Sequence, residues 1–117
     1  ASSAASDVYK RQVQPYLTPW RFECTGKISG NGTYTVSFIY TKGETPFRLG
    51  ALKLYKRDEL LAEVPQSVLI NADSPVATYR FTVDSFEAGT PFFIEVEACG
   101  ENGNDTSGLV FTNKVTQ

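Results

Sequence analysis

The segment from Tyr34 to Thr41 constrains the fold more than any other part of the chain. Tyr34, Val36, Phe38 and Tyr40 alternate with Thr35, Ser37, Ile39 and Thr41. In a strand every second side chain points to the same face, whereas a helix would scatter this set around its circumference. The run is rich in β-branched and aromatic residues, which pack well on a pleated, half-buried surface. It therefore predicts a strand with one face in a core, and such a strand needs antiparallel neighbours and a second layer to cover it.

Similar patterns recur along the chain. Trp20 to Ile28 reads as a first strand with Trp20, Phe22 and Cys24 on one face, and Gly30-Asn31-Gly32 as the turn after it. Beyond the loop at 42–46, Leu49, Leu52 and Leu54 mark a third strand whose alternation slips at Gly50-Ala51, as at a bulge. Arg57-Asp58 reads as a turn. Leu60 to Val64 fits either a hairpin arm or a helical turn, closed by Pro65.

Val68-Leu69-Ile70 reads as a brief edge strand inside a long connection. Ala77, Tyr79, Phe81 and Val83 alternate with Thr78, Arg80 and Thr82, and Ile94, Val96 and Ala98 with Phe93, Glu95, Glu97 and Cys99. The last strand is expected at Leu109 to Thr112, with Asn113 to Gln117 as a tail. About seven to eight short strands, and no convincing amphipathic helix, predict an all-β, antiparallel two-sheet sandwich, immunoglobulin/fibronectin-III-like or jelly-roll-like.

The 117 residues suit one domain, and 41% hydrophobic with 21% charged residues suits a folded one. A net charge of -2 with scattered cations provides no field for displacing counterions from a nucleic acid, so none is expected as partner. No apolar stretch nears the roughly 20 residues that cross a bilayer, and no membrane insertion is expected. The chain contains no histidine, which removes the usual general base, the usual zinc ligand and any Ser-His-Asp or Cys-His pairing. An enzyme is not expected. Cys24 and Cys99 would form a bridge in an oxidising compartment if they face each other; otherwise they are two buried thiols.

Residues 2–12, Ser-Ser-Ala-Ala-Ser-Asp-Val-Tyr-Lys-Arg-Gln, resemble a translated sequencing adapter of the kind found at the ends of metagenomic reading frames. On that resemblance residues 1–13 are a non-native or disordered leader, residues 14–117 are the single sandwich domain, and native sequence upstream has been lost.

The run Gly32-Thr33-Tyr34-Thr35-Val36-Ser37-Phe38-Ile39-Tyr40-Thr41-Lys42-Gly43 resembles a strand of the C-terminal β-sandwich accessory domain of Bacteroidota exo-glycosidases of the β-hexosaminidase and α-fucosidase type. The likeness extends through the leucine-rich segment Leu49 to Lys56 with Asp58, the Tyr-led strand Tyr79 to Val83 and the loop Gly103-Asn104-Asp105-Thr106-Ser107-Gly108. It covers roughly residues 20–111. The chain departs from it at Val64-Pro65-Gln66-Ser67, where that family often carries an Asp-x-His-x-Gly-like stretch. The resemblance implies an extracytoplasmic location, periplasm or cell surface, and a non-catalytic module that packs on a catalytic domain or contacts a glycan. A fibronectin-III-like or immunoglobulin-like protein-interaction module of a cell-surface protein is the competing expectation.

Sugar contact requires exposed aromatic faces for C–H stacking and polar side chains beside them. Trp20, Tyr55, Phe92 and Phe93 are the candidate platforms, with Glu95, Glu97 and Arg48 as candidate polar neighbours. The competing expectation for each aromatic is core or interdomain packing. The loop from Glu101 to Thr106 concentrates oxygen ligands, and Asn102, Asn104 and Asp105 are candidate calcium ligands, against a polar turn that caps its own backbone. No other cofactor is expected. Glu95 and Glu97 sit two apart on a strand, the spacing of a solvated sheet face rather than of a glycosidase carboxylate pair in a cleft.

Overall fold

In the computed structural model, residues 18–41, 45–101 and 111–116 are described. They form eight strands: β1 (Thr18–Glu23), β2 (Gly32–Tyr40), β3 (Phe47–Lys56), β4 (Glu59–Val64), β5 (Val68–Ile70), β6 (Val76–Val83), β7 (Phe92–Gly100) and β8 (Phe111–Thr116). A five-stranded sheet runs β1-β7-β3-β4, with β5 also paired to β3, and a three-stranded sheet runs β6-β2-β8. Every pairing is antiparallel and neither sheet closes into a barrel. The two-layer sandwich is as the alternation predicts. The expected leader, residues 1–13, lies outside the described residues.

The core lies between the sheets. From β2 it takes Tyr34, Val36 and Phe38, from β6 Ala77, Tyr79, Phe81 and Val83, and from β7 Phe92, Ile94, Val96 and Ala98. Phe38 meets Tyr79 edge-on at 5.6 Å between centroids and Phe22 edge-on at 6.3 Å. Phe22 belongs to the opposite sheet, so this aromatic contact ties the layers together, and edge-on pairs add roughly 0.5–1.5 kcal/mol beyond area burial.

Two tyrosines bring polar groups into this apolar layer with their partners attached. The Tyr34 hydroxyl accepts the N–H groups of Ser29 and Gly30, each at 3.2 Å, and donates to the Gly30 carbonyl at 2.7 Å. It thereby holds the turn before β2. The Tyr79 hydroxyl crosses to the other sheet and donates to the Gly50 carbonyl at 2.7 Å. Burial, helped by the Glu97 charge, pushes its pKa up.

Gly50 marks the interruption expected in β3. The β3–β7 register shifts between Leu49 and Leu52, and both leucines are buried with two residues between them. Outside the sheet, the Ala51 N–H donates to Glu97 Oε1 at 3.2 Å. Tyr79 from within and Glu97 from without thus satisfy the backbone groups that a bulge frees. Before the bulge β3 pairs with β5, and after it with β4.

Three segments differ from the sequence expectation. The first strand ends at Glu23 and a 3-10 turn over Thr25–Lys27 follows, because the Cys24 N–H donates to the Phe92 carbonyl and the Phe92 N–H to Thr25 Oγ1. Of the two readings of Leu60 to Val64, the hairpin arm is correct, and Arg57 makes its turn with a left-handed φ of 55°. The last strand continues through Phe111–Thr116, so the residues from Asn113 on that were expected as a tail pair with β2 and set buried Val115 beside Val36, while 109 and 110 lie outside the described residues.

Candidate functional site

Residues that alternate with the core set cover the outer face of the five-stranded sheet. Trp20 and Phe22 pack inward from β1, so Arg21 points out; Ile94 and Val96 are buried, so Phe93 and Glu95 point out; Leu52 and Leu54 are buried, so Lys53 and Tyr55 point out. The register aligns them in two rows. One row is Arg21, Glu95, Lys53 and Glu63, on β1, β7, β3 and β4 in turn. The adjacent row is Glu23, Phe93, Tyr55 and Leu60.

Arg21 organises this surface. Its guanidinium carbon lies 4.5 Å from the Phe93 ring centroid and 4.8 Å from that of Tyr55. One of its nitrogens is 3.6 Å from a Glu95 oxygen and another donates to the Arg57 carbonyl at 3.3 Å. The side chain therefore crosses β7 and reaches the β3–β4 turn. Planar and delocalised, a guanidinium can lie on aromatic faces and still donate at its rim, which the compact ammonium of lysine cannot match. The Arg21 and Glu95 side chains are 38% and 23% exposed, so solvent screens the ion pair and the ring contacts carry more of the energy.

Tyr55, Phe93 and Glu95, three of the sequence candidates for sugar contact, are thus brought together on one face. Phe92 is a correction: it is fully buried and stacks on Phe86 at 5.9 Å between centroids. Its register phase is that of Ile94 and Val96, which places it on the inner side of β7. Trp20 also leaves the set, because it packs against the core from the inner side of β1. Arg21, Lys53 and Leu60 were not among the candidates. Leu60 is 47% exposed beside Tyr55, and its pairing with Tyr55 follows from the β4 bulge between Leu54 and Tyr55.

The two carboxylates flagged for their spacing have structural partners: Glu95 pairs with Arg21, and Glu97 accepts the Ala51 N–H. Arg48 is exposed at the far end of β3 and donates to the Glu101 carbonyl at 3.1 Å.

The alternative of a Cys24–Cys99 bridge is corrected. Both thiols are free and buried. Cys24 adjoins Phe92 at one end of β7 and Cys99 lies near the other end, opposite Arg48. At about 3.3 Å per residue the separation is roughly 20 Å, far beyond the ~7 Å Cα limit for a bridge. Cys24 Sγ donates to the Phe92 carbonyl at 3.6 Å. Burial, with Glu23 adding to it, pushes the Cys24 thiol up to about 12. Burial also raises Cys99, with the Arg48 charge pulling the other way.

Among the described residues no three His, Cys, Asp or Glu side chains gather as metal ligands, and no helix is long and apolar enough to cross a membrane. The candidate calcium ligands Asn102, Asn104 and Asp105 lie outside the described residues. No protein-family model matches the chain, and no curated protein shows significant similarity to it. The surface itself is therefore what bears on function.

Proposed function

We propose that the chain is a non-catalytic accessory domain of an extracytoplasmic glycoside hydrolase, acting through contact made by the outer face of its five-stranded sheet. The observation behind this reading is the Arg21 guanidinium lying over both Tyr55 and Phe93, with Glu95 at its side. Strands hold these groups on a rigid scaffold, and aromatic residues with arginine are the side chains that concentrate binding energy at interfaces. The glycosidase context rests on the resemblance of Gly32 to Gly43 and the segments after it. Because Arg21 occupies ring area that a pyranose would need, the primary role of this face is packing on a protein surface.

Glycan contact is the second reading, favoured by two adjacent half-buried rings flanked by a carboxylate and a guanidinium. Extending the reading frame upstream in the source DNA tests the primary reading. A glycosidase catalytic domain there supports it, and an array of repeated sandwiches overturns it in favour of a cell-surface interaction module. Affinity electrophoresis through gels containing soluble glycans tests the second: retardation that Tyr55→Ala and Phe93→Ala abolish supports sugar contact, and free migration in every gel excludes it.

A further inference from the structure

We infer that this outer face is self-complementary and pairs two copies of the chain, sheet face to sheet face, about a two-fold axis. The inference rests on the reading above that the face is a contact surface, and it names the partner. Its basis is the row Arg21, Glu95, Lys53, Glu63, in which charge alternates in sign across β1, β7, β3 and β4. Consider a second copy laid over the first, related by a two-fold that runs along the strands between β7 and β3. Each strand then lies over its mirror position in the row: β1 over the partner's β4, and β7 over the partner's β3.

Every charge in the row meets its opposite in this arrangement. Arg21 faces the position of Glu63 in the second copy, and Glu95 faces that of Lys53. The neighbouring row brings Phe93 over the position of Tyr55, so aromatic meets aromatic at the centre. Leu60 falls opposite Glu23 at the rim. The other in-plane two-fold, across the strands, would set Arg21 against Arg21 and Glu95 against Glu95 when centred on the row. Charge complementarity therefore selects one geometry, the isologous one in which a single patch serves both sides.

Size is consistent with a weak dimer. β1, β7, β3 and β4 have six, nine, ten and six residues, and at ~4.8 Å spacing and ~3.4 Å rise they cover roughly 500 Å² per protomer. Doubled, that is about 1,000 Å², below the ~1,200 Å² at which stable specific interfaces begin and in the range of weak, transient ones. Sheets stacked face to face stay within about 30° of alignment, which keeps the central β7–β3 contacts in register while the rims diverge.

Sedimentation velocity on the purified chain, across concentrations to several hundred micromolar, tests this with a charge exchange. Lys53→Glu places two carboxylates over each other, Glu95→Lys places two ammonium groups over each other, and each variant alone is expected to be monomeric. Mixed in equal amounts they are fully complementary, and a heterodimer at least tenfold tighter than either homodimer is expected. Far-UV circular dichroism confirms that each variant is folded. Leu60→Lys, at an exposed position, adds a pair with Glu23 of the second copy and should tighten the wild-type dimer, while Leu60→Glu should loosen it.

A wild-type chain that stays monomeric throughout overturns the inference, as does a mixture of folded variants that fails to associate. Neither result bears on what the upstream reading frame encodes, so the two proposals fail separately.

Discussion

The two outward faces of the sandwich are built from opposite chemistries. On the three-stranded sheet, hydroxyls pair with hydroxyls across strands: Thr35 with Thr116 at 3.0 Å, Ser37 with Thr78 at 3.1 Å and Thr33 with Thr82 at 3.4 Å. Each group is satisfied by its immediate neighbour, as cross-strand Thr–Thr and Ser–Thr pairs are. On the five-stranded sheet the groups are aromatic or charged, and Arg21 reaches past its neighbouring strand to find its partners. A hydroxyl ladder gains little when water is replaced by another surface. Half-buried rings and an exposed leucine gain more, since the water they release was held at apolar area. Val76, 50% exposed beside Ile39 at one end of β6, is the apolar exception on the hydroxyl face, so the contrast lies between the Thr and Ser rows and the aromatic rows.

The strongest way to break the comparison is to remove what holds the two layers in place. Tyr79→Phe leaves the Gly50 carbonyl buried without its donor and should cost about 1–3 kcal/mol in urea unfolding. It should also loosen the bulge that Glu97 caps, seen as faster hydrogen exchange of the Ala51 amide. A change confined to the three-stranded side would contradict the bridging role.

Arg21→Ala tests the aromatic face directly. Loss of the ring contacts, of packing by the side-chain stem and of a screened ion pair should lower stability by about 1 kcal/mol. Arg21→Lys should recover only part of that, because an ammonium cannot lie flat on two rings. Full recovery by lysine would reduce the contact to simple charge.

Alkaline titration probes the junction of β1 with β7. The folded Cys24 pKa is about 12 against an ordinary 9.0, so the unfolded chain loses its proton first as pH rises. The contribution to stability is complete below pH 9.0 and is lost as pH climbs through that window to about 12. Cys24→Ala should flatten this decline without altering stability trends below it. In the same experiment both thiols of the native chain should resist a disulfide-exchange reagent at pH 8 and react once unfolded, whereas a bridged pair would show none.

The smallest effect belongs to the hydroxyl ladder. Thr35→Val keeps the shape and the β-branching and should shift stability by no more than about 0.5 kcal/mol. A loss comparable to that of Arg21→Ala would erase the distinction between the faces.

How far the sequence anticipated this follows the range of the interactions. Alternation located the strands, and the slip at Gly50-Ala51 located the bulge, because both are written in neighbouring residues. The phase of Ile94 and Val96 already assigned Phe92 to the interior, although its place at a strand end disguised that. Pairing between β1 and β7 is another matter. Residues 70 to 80 apart in the chain meet there, and nothing near Cys24 or Cys99 indicates that Cys24 adjoins one end of β7 while Cys99 lies near the other. For the same reason Arg21 carried no local signal: its partners Tyr55, Phe93 and Glu95 come from two other strands.

The interruption at Gly50-Ala51 also bears on how such a chain can vary in length. Before it, inward side chains occupy odd positions, Phe47 and Leu49; after it they occupy even ones, Leu52 and Leu54. Opposite them on β7, Ala98 and Val96 are only two residues apart, so β3 carries one extra residue here, and its loss would restore regular alternation with Leu49 and Leu52 still facing the core. Loss of a second residue would instead turn leucines to solvent and Lys53 toward the interior, so a shortened form of this strand can drop one residue at this point but not two.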